Sequence, residues 1–223
     1  MPIRSTPLVS QEIYHVINRG IAGLNIFLNK SDYTRFIKTF QYYNNEKPPT
    51  KFSNYRNLYR INPKILLKFD KPKKPIVEII AFCLMPTHFH FLIKQLNDNG
   101  ISEFLRKIAN SYARCFNTKY KRRGPLYEGR FKAIRIESEN QLLHVNRYIH
   151  LNPYSSRLLK DLNQLFTYTY SSLPEYLNFN STNICSKDII FSHFKDLEDY
   201  KKFIMDQADY QQSLEEIKHH LLD

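Results

Sequence analysis

The sequence predicts an α+β fold, an antiparallel sheet with helices packed on its faces. Two observations carry this. Short β-branched or alternating apolar segments and longer segments of helical period follow one another in the order β, α, β, β, α, β, α, which suits an antiparallel sheet covered by helices. The two central strands are parted only by Pro86-Thr87, a break that makes them a hairpin and so antiparallel. Hydrophobic residues make up 42% of the 223 residues and include 16 Tyr and 16 Phe, enough apolar side chain to exclude a disordered chain.

The first strand is Glu12 to Asn18, closed by a turn at Arg19-Gly20. Ser31 or Asp32 is placed to cap a helix running to about Asn45, with Tyr33, Phe36, Ile37 and Phe40 on its core face. Residues 46–75 hold five prolines among lysines and read as a long basic loop or insertion. Ile76 to Met85 is a buried strand, followed by a second from His88 to Gln95. Ile101, Phe104, Leu105, Ile108, Tyr112 and Phe116 line one side of a helix whose other sides carry Arg106, Lys107 and Arg114. After a turn at Arg123-Gly124-Pro125 comes a strand from Phe131 to Ile136. Ser138 then caps a helix that runs to Asn152, where Pro153 stops it. Two further short helices are expected between Ser186 and Asp223. This order suggests a ferredoxin-like variant.

Composition narrows the function. The formal net charge is +12, which favours a polyanionic partner through release of counterions from phosphates. The charge is uneven: residues 186–223 hold 5 basic and 9 acidic side chains, so the tail is not the nucleic-acid surface. Lys51 to Pro75 and Ile101 to Arg135 are the basic clusters, and each reads equally as a solvated face. Cys83, Cys115 and Cys185 are odd in number and far apart, excluding a disulfide framework and a Cys-x-x-Cys metal site. The apolar stretch Ile76 to Met85 is half a membrane span and contains Glu78, and the N-terminus lacks a signal-type apolar core. A soluble, cytoplasmic protein that meets no membrane is expected.

Two constellations could carry chemistry. In His88-Phe89-His90 the strand period puts both imidazoles on one face, where they serve either as a divalent-metal pair or as two half-buried histidines. On the helix after Ser138, Gln141, His144, Tyr148 and Asn152 form one polar stripe. An amide at Asn152 could complete a metal site beside the Tyr148 phenol; alternatively Tyr148 is a surface tyrosine and Asn152 ends the helix. Tyr112, the rival phenol, shares the core face of its helix. Tyr127, among Arg122, Arg123 and Arg130, suits base stacking with phosphate contacts around it, or else a structural role in a solvated loop. Lys107 and Arg114 join these as DNA-binding candidates. His15 is read as an ordinary core or surface residue.

The segments Met85-Pro86-Thr87-His88-Phe89-His90, Arg122 to Phe131 and Arg147-Tyr148-Ile149-His150-Leu151-Asn152-Pro153 resemble, in order and spacing, the REP-associated tyrosine transposases, a branch of the single-tyrosine HUH transposases. Asn18-Arg19-Gly20 fits as well, so the resemblance covers about residues 8–175. It implies a ferredoxin-like HUH endonuclease fold, with a transposase domain over 1–175 and an acidic helical extension over 176–223. It also implies hairpin-bearing single-stranded DNA as substrate and phosphodiester transesterification through a 5′-phosphotyrosine. The resemblance makes His88 and His90 ligands of Mg²⁺ or Mn²⁺, Tyr148 the nucleophile and Asn152 a third, amide-type ligand. Related transposases include dimers that exchange their tyrosine helices, whereas this branch is expected to act as a monomer; the sequence leaves monomer and homodimer open. A DNA-binding regulator that no longer cuts and an RNA-hairpin binder are the competing readings, separated from the first by metal-dependent cleavage.

Overall fold

The computed structural model describes residues 7–61, 74–180 and 182–213. Four strands, β1 (Ile13–Arg19), β2 (Val77–Met85), β3 (His88–Gln95) and β4 (Lys132–Arg135), form one antiparallel sheet in the order β2-β3-β1-β4. This is the ferredoxin-like order, with the first and third strands central. Helices α1 (Lys30–Tyr43) and α3 (Gly100–Lys119) cover one face, and α4 (Glu139–Ser155) covers the other. A further helix, α2 (Phe52–Ile61), follows α1, while short helices α5 (Leu173–Tyr176) and α6 (Asp188–Phe191) and the longer α7 (Leu197–Met205) complete the α4 side. Among the described residues no helix is long and apolar enough to cross a membrane.

Strand alternation splits the core into two layers. Tyr14, Val16, Phe89, Phe91 and Ile93 point toward α1 and α3, where Phe36, Phe40, Phe104 and Tyr112 meet them. Leu92, Cys83 and Met85 point toward α4 and meet Leu142, Ile149, Tyr176, Tyr200 and Ile204. β2 is buried on both faces, which is why it reads as a continuous apolar run. A bulge between Ile79 and Ala81 puts the consecutive Ile80 and Ala81 in the same layer and reverses the alternation beyond them. β2 is an edge strand, and the chain caps it. Leu84 N–H donates to the Tyr170 carbonyl, and the N–H groups of Ser172 and Ser186 donate to the carbonyls of Phe82 and Ile79.

Five expectations need correction. Helix α1 starts earlier, capped by the Asn29 side chain, which accepts from Ser31 N–H. Asp32 is spent elsewhere, accepting from Leu28 N–H, Lys119 and the Tyr120 hydroxyl. The basic segment 46–75 is not all loop: α2 forms within it because Phe52 and Tyr55 bury themselves on Tyr42, at ring separations of 5.1 and 4.7 Å. Residues 62–73 of that segment lie outside the described residues. Strand β4 is shorter than expected, leaving Phe131 and Ile136 beyond its ends. Pro153 does not stop α4; the helix continues to Ser155 because Asn152, Pro153 and Ser155 are buried and Ser156 N–H still finds the Asn152 carbonyl. Where two helices were expected, the described residues hold three helical segments, α6, α7 and residues 208–213. They contribute Ile190, Tyr200 and Ile204 to the α4-side core, so the acidic composition of this region covers an apolar inner face.

Candidate active site

The sheet's α4-facing side is mostly apolar, which makes its three histidines conspicuous. His88 opens β3 just past the two-residue turn and pairs with Arg19 on β1 and Met85 on β2. The turn is pinned: Gly20 N–H donates to Thr87 O, and Ile26 and Phe27 N–H groups both donate to Pro86 O. Gly20 is required there, since a Cβ would come within 2.1 Å of the Leu24 carbonyl oxygen. His90 sits opposite Ile17 and Cys83 and is 3% exposed. Its ring centroid is 4.9 Å from that of His88, so the two imidazoles share one face as their spacing predicts.

A third imidazole, His15, read from the sequence as an ordinary core or surface residue, stacks on His90. It lies on β1 opposite Leu92, diagonal to His90, and is 7% exposed. Its Nε2 is 2.9 Å from His90 Nδ1, and the two rings stack at 5.2 Å. Burial lowers the His15 pKa to about 4. Burial, and then the charges of His88, His15 and Arg19, hold His90 well below its ordinary value. Both rings are therefore neutral at pH 7, and the ring that donates across the 2.9 Å contact keeps a lone pair on its other nitrogen.

Tyr148 reaches this pair from α4. Its ring centroid lies 5.6 Å from His90 and 5.9 Å from His15, edge-on to both. One turn further, Asn152 is 4% exposed. His90 Nε2 and Asn152 Oδ1 are two of the five buried polar side-chain atoms that lack a hydrogen-bond partner among the described residues. An imidazole nitrogen with its other nitrogen engaged and an amide oxygen, both buried without a donor, suit a cation. His88 is likewise held through Nδ1, 2.9 Å from the Thr87 hydroxyl. Among the described residues no group of three or more His, Cys, Asp or Glu is arranged to hold a metal ion.

The other candidates separate. Tyr112 is in the core, its hydroxyl donating to Ile26 O, and burial pushes its pKa far up, as a structural tyrosine requires. The loop 122–130 docks beside the His88 end of the sheet through bonds of Leu126 O with Ile21 N–H and of Glu128 N–H with Arg19 O. Arg123 and Arg130 are exposed there, while Arg122 turns back onto Asn117 Oδ1 and Gly124 O. Tyr127 differs from an open stacking platform: its hydroxyl is buried and its ring meets Phe89 edge-on at 6.1 Å. Lys107 and Arg114 stand on α3, on the opposite face of the sheet from Tyr148. Lys107 is engaged with Glu103 at 2.7 Å and with the carbonyls of Asn45 and Glu46. His144 pairs with Arg147 on the outside of α4. His150 is buried between the Tyr200 and Ser172 hydroxyls, with burial lowering its pKa to about 3.

Residues 67–152 match the family model described as IS200-like transposase. No curated protein sequence matches the chain. Among solved structures, a REP-associated tyrosine transposase bound to a REP hairpin shares 14% identity, covering 85% of this chain and 93% of its own, with a TM-score of 0.46. A Deinococcus radiodurans R1 protein, provisionally described as a transposase, shares 14% identity over 66% of this chain and 95% of its own, with a TM-score of 0.35. The segment that is similar to the IS200-like transposases contains His88, His90, Tyr148 and Asn152, the residues that the fold brings to one side of the sheet.

Proposed function

We propose that the chain is a metal-dependent single-stranded DNA endonuclease and strand transferase that cuts and rejoins DNA at hairpin-forming repeats, with Tyr148 as nucleophile. The observation that carries this reading is the buried His15–His90 pair lying edge-on to Tyr148, with His90 Nε2 and Asn152 Oδ1 left without partners.

His88 and His90, with the Asn152 amide, would hold Mg²⁺ or Mn²⁺, which supplies Lewis-acid polarisation of the scissile phosphate. His15 fixes the tautomer: when its Nε2 accepts from His90 Nδ1–H, His90 Nε2 keeps its lone pair. Helix α4 holds the Tyr148 ring against that pair, so the nucleophile is positioned before DNA arrives. The phenol oxygen attacks phosphorus, the bond to the 3′ oxygen breaks, and the products are a 5′-phosphotyrosine and a free 3′-OH. A phenol of ordinary pKa near 10 loses its proton as the bond forms. Because the tyrosyl phosphodiester conserves the broken bond, a later 3′-OH attack rejoins DNA without ATP. The exposed Arg123 and Arg130, beside the His88 end of the sheet, would contact phosphates of the bound strand.

The test is a denaturing gel of protein incubated with end-labelled hairpin DNA in Mn²⁺ or EDTA. A labelled protein band in Mn²⁺ alone, lost in Tyr148→Phe, is the expected result. A covalent band that persists in Tyr148→Phe refutes the nucleophile, and hairpin binding without any band over a range of hairpin sequences favours a protein of this fold that binds structured DNA without cutting it.

A further inference from the structure

A cavity of about 960 Å³ opens between α1, α2 and α3, on the face of the sheet away from Tyr148. Among the described residues seven cations line it and no carboxylate does. Lys107 and Lys119 are neutralised by Glu103 and Asp32 at its margins. Arg35 from α1, Lys51 and Arg56 at α2, and Arg106 and Arg114 from α3 face the remaining space. Arg35 is half-buried, its guanidinium 4.3 Å over the Phe52 ring, and its Nε is buried without a hydrogen-bond partner. Burial lowers the Arg35 pKa, with the Arg56 charge adding to that effect. Guanidinium groups gathered in a half-enclosed groove repel one another, and a bound anion would reverse the sign of that energy.

We propose that this groove binds the phosphate backbone of DNA, as a second contact surface separate from the Tyr148 site. The inference rests on the DNA reading above and extends it to the opposite face. The spacing suits a repeating anion: Arg106 and Arg114 are two helical turns apart, roughly 12 Å. A row of that length can meet more than one phosphate of a strand. Asn110 and Ser111 lie between them in the groove wall and add neutral hydrogen-bonding groups along the row. Helix α2 forms the opposite wall, which gives the basic segment after α1 a role in gripping DNA flanking the reacting strand.

The test compares the full chain with a Lys51→Ala, Arg56→Ala, Arg106→Ala variant, all three positions being exposed. Fluorescence anisotropy is read across a salt series with a long hairpin DNA carrying duplex flanks and with an oligonucleotide of a few nucleotides. For the long DNA, affinity should fall on the order of 10-fold and the salt slope should become shallower by about three. Affinity for the short oligonucleotide and the yield of the Tyr148 adduct on it should not change. Equal affinity and slope in variant and parent, with adduct formation intact, overturns the groove assignment alone. A parent that binds neither DNA overturns the DNA reading and the groove with it. Displacement of the long DNA by polyglutamate at equal charge as readily as by unlabelled DNA would assign the groove to an acidic polypeptide instead.

Discussion

Replacing His15 by Phe isolates what the third imidazole does. Phe keeps a ring in the stack at 5.2 Å from His90 but removes the nitrogen that lies 2.9 Å from His90 Nδ1. Both positions are nearly closed to solvent, at 7% and 3% exposure, so water is poorly placed to replace the lost partner. His90 then has two choices. It can keep Nδ1–H unsatisfied, at about 1–3 kcal/mol for a buried donor. It can instead move the proton to Nε2 and lose the lone pair that a cation needs. On either course Mn²⁺ affinity should fall about 10- to 100-fold, the range found when an outer partner of a ligating histidine is removed. Calorimetric titration with Mn²⁺ reads this directly and needs no DNA. Tyr148→Phe is the control that should bind Mn²⁺ as the parent does, and His15→Asn, which returns an acceptor, should recover part of the loss. Mn²⁺ affinity in His15→Phe within twofold of the parent, with the fold intact by circular dichroism, would refute the positioning role.

Two further predictions concern the scaffold. Asn44 is buried, its Oδ1 accepting from the N–H groups of Ile76 and Val77 and its Nδ2 donating to Val77 O, so Asn44→Ala strands three backbone groups at the start of β2 and should cost about 2–4 kcal/mol in urea unfolding. Burial alone would raise the Asp32 carboxyl pKa, but hydrogen bonds from Lys119, Tyr120 and Leu28 N–H together hold it below its ordinary value. Its contribution is therefore complete above the unfolded carboxylate pKa near 4 and is lost as pH falls through the folded one. The melting temperature of Asp32→Asn should lie below that of the parent at pH 7, with the gap closing below about pH 4.

Much of the site was readable because the periods of strand and helix are rigid. A two-residue spacing in β3 puts His88 and His90 together whatever the rest of the chain does, and Tyr148 and Asn152 follow from one turn of α4. His15 was not readable because its role depends on register. Nothing local to Tyr14-His15-Val16 says that β1 pairs with β3 so as to set His15 diagonal to His90; only the pairing of Ile17 with His90 does. Helix α2 was obscured for a related reason. Its apolar residues answer to Tyr42 and Tyr43 of the preceding helix, a tertiary demand that proline content conceals. Composition left Tyr127 open between a stacking ring and a structural one, and only the bridge between Gly20 and Tyr127 shows its hydroxyl drawn inward.

The alternation of β3 also explains why the site is built in advance of any ligand. Phe89 and Phe91 point away from the imidazoles into an aromatic layer, where Phe36 contacts both rings and Phe40, Phe82 and Phe104 contact Phe91. Interlocked rings leave the strand little freedom to rotate or slide, since a one-residue slip would exchange phenyl and imidazole faces. The histidines therefore inherit their positions from the opposite face, and under the proposed function a pair held in one geometry would lose little entropy on binding a cation. The same sheet keeps the groove of arginines on its far side, so that the charge proposed to attract DNA would not repel a cation from the imidazoles.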